Sequence, residues 1–154
     1  MTKLITIYTD GAAKGNPGPG GYGVVMLFQQ HRKELTEGFR LTTNNRMELM
    51  AVIKGLEAIK ESGWNVMIYS DSKYVVDSVE KGWVFTWEKK FFKDKKNEDL
   101  WRQFLNVYRR HKVRFTWVKG HAGNKENERC DVLAVRSAEG PDLKPDYGYE
   151  ASGD

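Results

Sequence analysis

The stretch that organises the chain is Leu4-Ile5-Thr6-Ile7-Tyr8-Thr9-Asp10-Gly11. Its β-branched and aromatic residues predict a buried strand. The strand is expected to end at Asp10, where Gly11 frees the backbone to turn. Open α/β sheets place their chemistry at the C-terminal ends of central strands, so Asp10 is a candidate functional residue. The alternative is a turn aspartate that hydrogen-bonds its own backbone, and this stretch by itself leaves both interpretations open.

Length and composition limit the architecture. A chain of 154 residues is long enough for one domain with a real core. We assign residues 1–140 to that domain and residues 141–154 to a loosely held C-terminal tail, because the tail has two prolines and few apolar residues. No apolar run reaches the roughly 20 residues of a membrane helix, and no signal-peptide pattern is present, so we expect no membrane partner. The single cysteine, Cys130, fits a reducing cytoplasm.

The net charge of +4 is distributed unevenly along the chain. Residues 81–119 contain twelve Lys or Arg and four acids, a net charge of +8, so the remainder carries −4. A concentrated basic segment predicts a polyanionic partner. The alternative is a solvated surface, which is less satisfactory here because aromatic residues lie between the lysines and can pack on sugars and bases. These aromatic residues are Trp83, Phe85, Trp87, Phe91 and Phe92.

A glycine-rich stretch follows the first strand and formally matches the pattern G-x-G-x-x-G at Gly18, Gly20 and Gly23. A dinucleotide site is rejected, because two prolines interrupt the stretch and a strand-like run at 24–28 follows instead of a helix. The predicted structure is a wide glycine-rich turn between antiparallel strands.

The remaining pattern predicts an α/β fold with a five-stranded mixed sheet, three antiparallel strands followed by two parallel ones, and helices on both faces. Strands are expected at 3–10, 24–28, 31–42, 66–70 and 113–118, and helices from 44–45 to about 63, over 73–81, over about 97–110 and after 124. The strand at 66–70 ends at Asp71. Because a strand, a helix and a returning strand form a parallel crossover, we expect Asp10 and Asp71 at the same sheet edge.

Two further acids lie on predicted helices. Glu48 follows Asn45 by three residues, the position of a capping-box glutamate, and it also lies at the margin of the apolar helix face. Asp131 is adjacent to Cys130, near the apolar face of the last helix. Neither acid has a basic residue three or four positions away, so a local ion pair on the helix surface is excluded.

Clustered carboxylates resist ionising together unless a cation joins them. Mg²⁺ prefers oxygen ligands, and two such ions roughly 3.5–4 Å apart bracket a phosphodiester in hydrolytic enzymes. Four acids and a basic aromatic segment therefore indicate phosphodiester hydrolysis on a nucleic acid, provided that the acids converge.

Six stretches, in order, resemble the bacterial ribonuclease HI family and together span about residues 3–138. They are Tyr8-Thr9-Asp10-Gly11-Ala12, Gly15-Asn16-Pro17-Gly18-Pro19-Gly20-Gly21-Tyr22-Gly23, Thr43-Asn44-Asn45-Arg46-Met47-Glu48-Leu49, Ser70-Asp71-Ser72-Lys73-Tyr74-Val75, Trp117-Val118-Lys119-Gly120-His121-Ala122-Gly123 and Glu126-Asn127-Glu128-Arg129-Cys130-Asp131. The resemblance implies a ribonuclease H-like fold, and endonucleolytic cleavage of the RNA strand of RNA–DNA hybrids to give 5′-phosphate and 3′-hydroxyl ends. It implies two Mg²⁺ ions with substrate, for which Mn²⁺ is expected to substitute.

The resemblance also implies roles for individual residues. The metal-binding carboxylates would be Asp10, Glu48, Asp71 and Asp131, with His121 as a loop histidine that assists proton transfer or product departure. Asn16, Asn44 and Asn45 are expected to contact the minor groove of the hybrid, and Trp83, Trp87, Lys89 and Lys90 fall in a basic protrusion on the DNA strand. Gly11 and Lys73 are further candidates for substrate contact.

The chain departs from the family pattern at three positions. Asn124 replaces a common histidine, Lys125 a common proline and Lys73 a frequent glutamine. Lys73 would add positive charge near the scissile bond and alter substrate affinity or metal preference.

Two rival functions remain. One is a hybrid-binding module without catalysis, which needs no acidic set. The other is a DNA-cutting relative, but the asparagines favour the sensing of RNA. We expect a monomer.

Overall fold

The strand that contains Ile5 and Ile7 is an inner strand of a six-stranded mixed sheet. The protein is described by a computed structural model that covers residues 3–120 and 123–152. The strands are β1 (Leu4–Ala13), β2 (Gly18–Phe28), β3 (His31–Thr42), β4 (Asn65–Ser70), β5 (Lys112–Trp117) and β6 (Leu143–Lys144). The helices are α1 (Asn44–Glu57), α2 (Lys73–Glu80), α3 (Trp83–Lys89), α4 (Glu98–Tyr108), α5 (Lys125–Glu139) and α6 (Tyr147–Ser152).

The strand order is β5-β4-β1-β2-β3-β6. Strands β1, β2 and β3 are antiparallel, whereas β4 pairs parallel to β1 and β5 pairs parallel to β4. The predicted arrangement of three antiparallel and two parallel strands is confirmed. The predicted count of five is wrong, because the two-residue β6 adds a parallel strand beside Gly38 and Phe39 of β3.

Helices α1 and α5 pack on opposite faces of the sheet. A Cβ atom at Gly20 would lie 3.1 Å from the Met47 side chain of α1, and one at Gly21 would lie 2.5 Å from the Ala134 carbonyl of α5. Successive strand residues point to opposite faces, so the two helices enclose the sheet between them. The core on the α1 side contains Ile7, Ile68 and the apolar stripe of α1.

Two predictions about turns are wrong. Strand β1 does not end at Asp10 but continues to Ala13, and the glycines from Gly18 onward belong to β2 instead of a turn. Gly11 has a different role from the one predicted: a Cβ atom there would overlap the backbone of Met47 and Glu48. Its missing side chain lets the N-terminal part of α1 approach the strand.

The tail is also more ordered than its composition predicts. Residues 141–152 contribute β6 and α6, and Tyr149 of α6 is buried. The carboxylate of Asp146, itself buried, accepts hydrogen bonds from Arg46 Nε at 2.8 Å and from Thr42 Oγ1 at 2.7 Å. A tail with few apolar residues can therefore be ordered, because it attaches to the domain through a buried charge pair.

Candidate active site

The site is built on two neighbouring parallel strands, β1 and β4. Thr9 pairs with Ser70 in their ladder, so Asp10 and Asp71 follow paired residues at the same edge of the sheet. This juxtaposition was predicted from the crossover connection. The Gly11 N–H donates a hydrogen bond to Asp10 Oδ1 at 2.8 Å, which fixes one carboxylate oxygen within the strand.

Glu48 reaches the same place from α1. The N-cap of this helix is Thr43, whose side chain accepts a hydrogen bond from the Arg46 N–H, so the predicted capping role of Glu48 is wrong. Glu48 is instead buried, at 6 % exposure, and turned toward the sheet edge. Carboxylate oxygens of Asp10, Glu48 and Asp71 lie within 4.8 Å of one another.

Two of the three carboxylates have a raised pKa. Burial, followed by the charge of Asp71, raises the pKa of Asp10 to about 8. Burial, followed by the charges of Asp10 and Asp71, also holds the pKa of Glu48 well above its ordinary value. In the part of the chain that the structure describes, Glu48 Oε1 and Asp71 Oδ1 are buried without a hydrogen-bond partner. Buried oxygens without donors, in a set of carboxylates, fit a hard divalent cation.

Asp131 approaches from the opposite face, on α5. It is half-buried and lies outside the group of three, but its charge contributes to the raised pKa of Asp10. The reason for its position lies in the glycines of β2. Gly23 pairs with Asp10, and a Cβ atom at Gly23 would overlap the carbonyl of Cys130, the residue before Asp131. The predicted convergence therefore holds closely for three acids and more loosely for the fourth.

His121 lies outside the described residues. The asparagines predicted to contact a hybrid form a connected surface beside the acids. Asn16, Asn44 and Asn45 are all exposed, and Asn16 Oδ1 accepts a hydrogen bond from the Asn44 N–H at 3.0 Å.

The basic segment is only partly as predicted. Trp83 and Phe91 are exposed, at 45 % and 80 %, and Lys89 and Lys90 are exposed as well. Phe92 is buried, and Trp87 packs edge-on against Trp101 with ring centroids 5.9 Å apart. Part of the aromatic set therefore holds the segment to α4 instead of facing solvent.

The sequence interpretation missed Tyr74 and Asn97, which line a cavity beside the basic segment. A shallow cavity of about 260 Å³ is lined by Asn45, Tyr74, Trp87, Lys95, Lys96 and Asn97. Asn97 has a left-handed backbone (φ 65°) and is buried, which is unusual for a residue that begins a helix without a side-chain cap. The clustered lysines in the sequence could have indicated this cavity, whereas nothing in the sequence indicates the left-handed backbone of Asn97.

Trp117 was also missed. It is the last residue of β5, at the same sheet edge as the acids, and its indole N–H donates a hydrogen bond to the Asp71 carbonyl at 3.0 Å. Its position near the end of the predicted fifth strand at 113–118, at the edge of the sheet that carries the acids, would have identified it.

No helix among residues 3–120 and 123–152 has the length and apolar character needed to cross a membrane.

Comparisons with known proteins identify the family to which this architecture belongs. The family model described as RNase H matches residues 2–139.

Relatives and solved structures agree with this match. The ribonuclease H of Syntrophus aciditrophicus is 56 % identical over 152 residues, which cover 96 % of this chain and 87 % of the relative. That of Desulforamulus reducens is 58 % identical over 149 residues, with coverages of 94 % and 93 %.

Among solved structures, LC9-RNase H1, described as a type 1 RNase H with the type 2 active-site motif, has a TM-score of 0.82 at 30 % identity and covers 99 % of this chain and 82 % of its own. LC11-RNase H1 in complex with an RNA/DNA hybrid has a TM-score of 0.69 at 25 % identity, with coverages of 88 % and 96 %. The chain therefore belongs to the ribonuclease H family, as an enzyme whose acidic cluster fits a metal-dependent nuclease.

Proposed function

We propose that this protein is an endonuclease that hydrolyses the RNA strand of RNA–DNA hybrids. The single observation that carries the proposal is the group of three carboxylates within 4.8 Å, two of them with buried oxygens that lack a donor. The hybrid bound to the structurally similar LC11-RNase H1 supports the substrate class.

In this proposal Asp10, Glu48, Asp71 and Asp131 hold two Mg²⁺ ions, with Asp10 and Asp71 at the centre; Mn²⁺ is expected to substitute. Two bound ions would activate a water on one side of the phosphodiester and stabilise the leaving oxygen on the other. Water adds to phosphorus and the P–O3′ bond breaks, so one fragment carries a 5′-phosphate and the other a 3′-hydroxyl. His121 would move the proton.

The remaining surface would hold the hybrid. Exposed Asn16, Asn44 and Asn45, with the backbone at Gly11, would sense 2′-hydroxyls in the minor groove. The exposed lysines and Trp83 of the basic segment, with Trp87 behind them, would hold the backbone of the DNA strand. Lys73 would contact the scissile strand. We further infer a monomer in the cytoplasm, which is consistent with the single buried cysteine.

The test is incubation of the protein with a hybrid labelled on each strand in turn, with and without EDTA. We expect cuts in the RNA strand alone, abolished by EDTA. Asp10→Asn should reduce cutting to the EDTA background while hybrid binding survives. Asp142→Asn, at an exposed position, is the matched control and should cut like the wild type.

A panel of DNA duplex, RNA duplex and hybrid separates the rival functions. Cutting of the DNA duplex would indicate a DNA-cutting enzyme on this fold. Binding without any metal-dependent cutting would indicate a binding module, and either result would overturn the proposal.

A further inference from the structure

Lys73 is in an electrostatically unfavourable position. It is the first residue of α2, whose N-cap Ser72 accepts a hydrogen bond from the Val75 N–H, and that turn contains no acidic residue. A helix N-terminus carries partial positive charge, so a lysine there is a poor choice for stability. Residues that break a local rule without a structural gain often serve function.

The Lys73 ammonium is held by an aromatic ring and not by an acid. Its Nζ lies 4.8 Å from the ring centroid of Trp117, and it forms no salt bridge with any residue in the described ranges 3–120 and 123–152. The ring itself is fixed, because the indole N–H donates to the Asp71 carbonyl. Since the ring leaves the charge of the ammonium unneutralised, Lys73 can still bind an anion.

The backbone around Trp117 holds this pair close to the acids. The N–H of Val118, the next residue, donates to the Ser70 carbonyl at 2.9 Å. Two residues later, a Cβ atom at Gly120 would lie 2.8 Å from Asp71 Oδ2. The chain therefore folds over Asp71 directly after Trp117, and 42 % of Trp117 remains exposed beside the cluster.

We propose that Trp117 is a positioning residue that holds the Lys73 ammonium beside the carboxylate cluster, where Lys73 binds a phosphate of the cleaved strand. This inference rests on the proposed function. It makes Lys73 and Trp117 one unit: the lysine supplies the phosphate contact, and the ring with its anchored N–H determines where that contact is made.

The test measures hybrid binding without cleavage. The affinity of a fluorescently labelled hybrid is measured by anisotropy in EDTA over a range of NaCl concentrations. Each lost phosphate contact lowers the slope of log affinity against log salt by about one. We expect this decrease for Lys73→Gln and for Trp117→Leu. Each variant should also lose about two- to fivefold in affinity for the hybrid at moderate salt. The double variant should show no further decrease, because both changes remove the same contact.

The chain offers a matched control. At the opposite end of the sheet, Lys3 Nζ lies 5.6 Å from the centroid of the Trp64 ring. Lys3→Gln and Trp64→Phe remove or alter a similar pair far from the acids, and both should keep the wild-type salt slope. Trp117→Phe retains a ring face but loses the anchoring N–H, so it should restore only part of the slope lost in Trp117→Leu.

A second measurement covers the case in which Trp117→Leu does not fold. The fluorescence emission of Trp117 is obtained by subtracting the spectrum of Trp117→Phe from that of the wild type. This emission should change when the hybrid binds in EDTA, and the change should be absent in the Lys73→Gln background. An unchanged salt slope in Lys73→Gln or in folded Trp117→Leu, or a decrease of two in the double variant, would overturn the inference. If the wild type does not cut a hybrid, the proposed function fails instead.

Discussion

Asp10 is a residue at which the proposed function opposes stability. Its carboxylate is buried beside Asp71, and both effects raise its pKa to about 8. In the unfolded chain the same group has a pKa near 3.9. Without metal, the folded state therefore binds one more proton than the unfolded state between these values, and the stability contributed by the neutral carboxyl is lost as pH rises from about 4 to about 8.

We predict that Asp10→Asn stabilises the metal-free protein at pH 8.5. The amide keeps the shape of the side chain and removes the charge, so the free energy of unfolding should increase by more than about 1 kcal/mol. The gain should shrink as pH falls and vanish below the unfolded-state pKa, where the wild-type carboxyl is neutral in both states. Urea unfolding in EDTA at several pH values measures the difference.

Asp142→Asn is the control for this prediction, because Asp142 is exposed. It should change stability little at any pH. A destabilised Asp10→Asn at pH 8.5 would mean that the carboxylate is favourably placed even without a cation, in contradiction to the raised pKa.

Residue positions in the site were predictable only where local sequence controls them. Asp10 and Asp71 follow the paired residues Thr9 and Ser70 of two parallel strands, so their meeting follows from chain direction. For Glu48 the local spacing left open a capping role opposite Asn45 and a position facing the sheet, and the N-cap turns out to be Thr43. Arg46 was missed because its buried partner Asp146 lies 100 residues away, and no local pattern reveals such a pair.

At the level of elements, the distance between α5 and the sheet decides where Asp131 lies. Glycines of β2 and β3 face this helix, and Cβ atoms at Gly23 and Gly38 would overlap the carbonyls of Cys130 and Ser137. The helix backbone therefore rests directly on the sheet. The glycine-rich stretch was correctly separated from a dinucleotide site, but its packing role depends on a helix more than 100 residues later.

We predict that Gly23→Ala displaces α5 from the sheet and moves Asp131 away from Asp10. Overpacking of this kind costs about 1–3 kcal/mol of unfolding free energy. Cleavage should fall more steeply at low Mg²⁺ than at high Mg²⁺, because one carboxylate is withdrawn from the site. Thermal unfolding and cleavage against Mg²⁺ concentration measure the two effects.

Gly140→Ala is the matched control, since a Cβ atom there would meet its nearest neighbours at an ordinary 3.5 Å. It should leave both stability and the Mg²⁺ dependence unchanged. Wild-type Mg²⁺ dependence in a folded Gly23→Ala protein would show that the position of α5 does not set the site.

Across the whole molecule, one buried arginine joins three distant parts of the chain. Arg46 of α1 binds Asp146 in the tail through Nε and Asp99 of α4 through Nη2, the latter at 2.7 Å. Arg46 lies two residues before Glu48, so the tail supports the part of α1 that enters the site. The loosely held tail was predicted from composition alone, which does not reveal a single buried charge pair.

We predict that Asp146→Asn destabilises the protein by about 2–4 kcal/mol, because it leaves a buried guanidinium with only its half-exposed partner Asp99. Glu150→Gln, in the same tail, removes the exposed pair with Arg40 and should cost less than about 1 kcal/mol. Denaturant unfolding of both variants makes the comparison. Equal effects would show that the buried pair does not attach the tail.

We also predict that Mg²⁺ without substrate raises the melting temperature of the wild type at pH 8. Binding to the folded state alone adds about 2.7 kcal/mol when the ion is at one hundred times its dissociation constant. Asp10→Asn should lose most of this increase, and Asp142→Asn should keep it. Calorimetric melts over a Mg²⁺ series, with Na⁺ at matched ionic strength as control, test the prediction.

The pairing of Arg46 with Asp146 also affects how the chain matures during translation. A ribosome adds Asp146 one hundred residues after Arg46, so the residues of strands β1 to β6 and of helices α1 to α5 are already synthesised while the guanidinium still lacks this acid. Of the two acids that pair with Arg46 in the described residues, only Asp99 is then present, so α1 lacks one of the two ion pairs formed just before Glu48. The addition of Asp146 supplies the second ion pair of Arg46 and thereby ties a late part of the chain to the helix that carries Glu48.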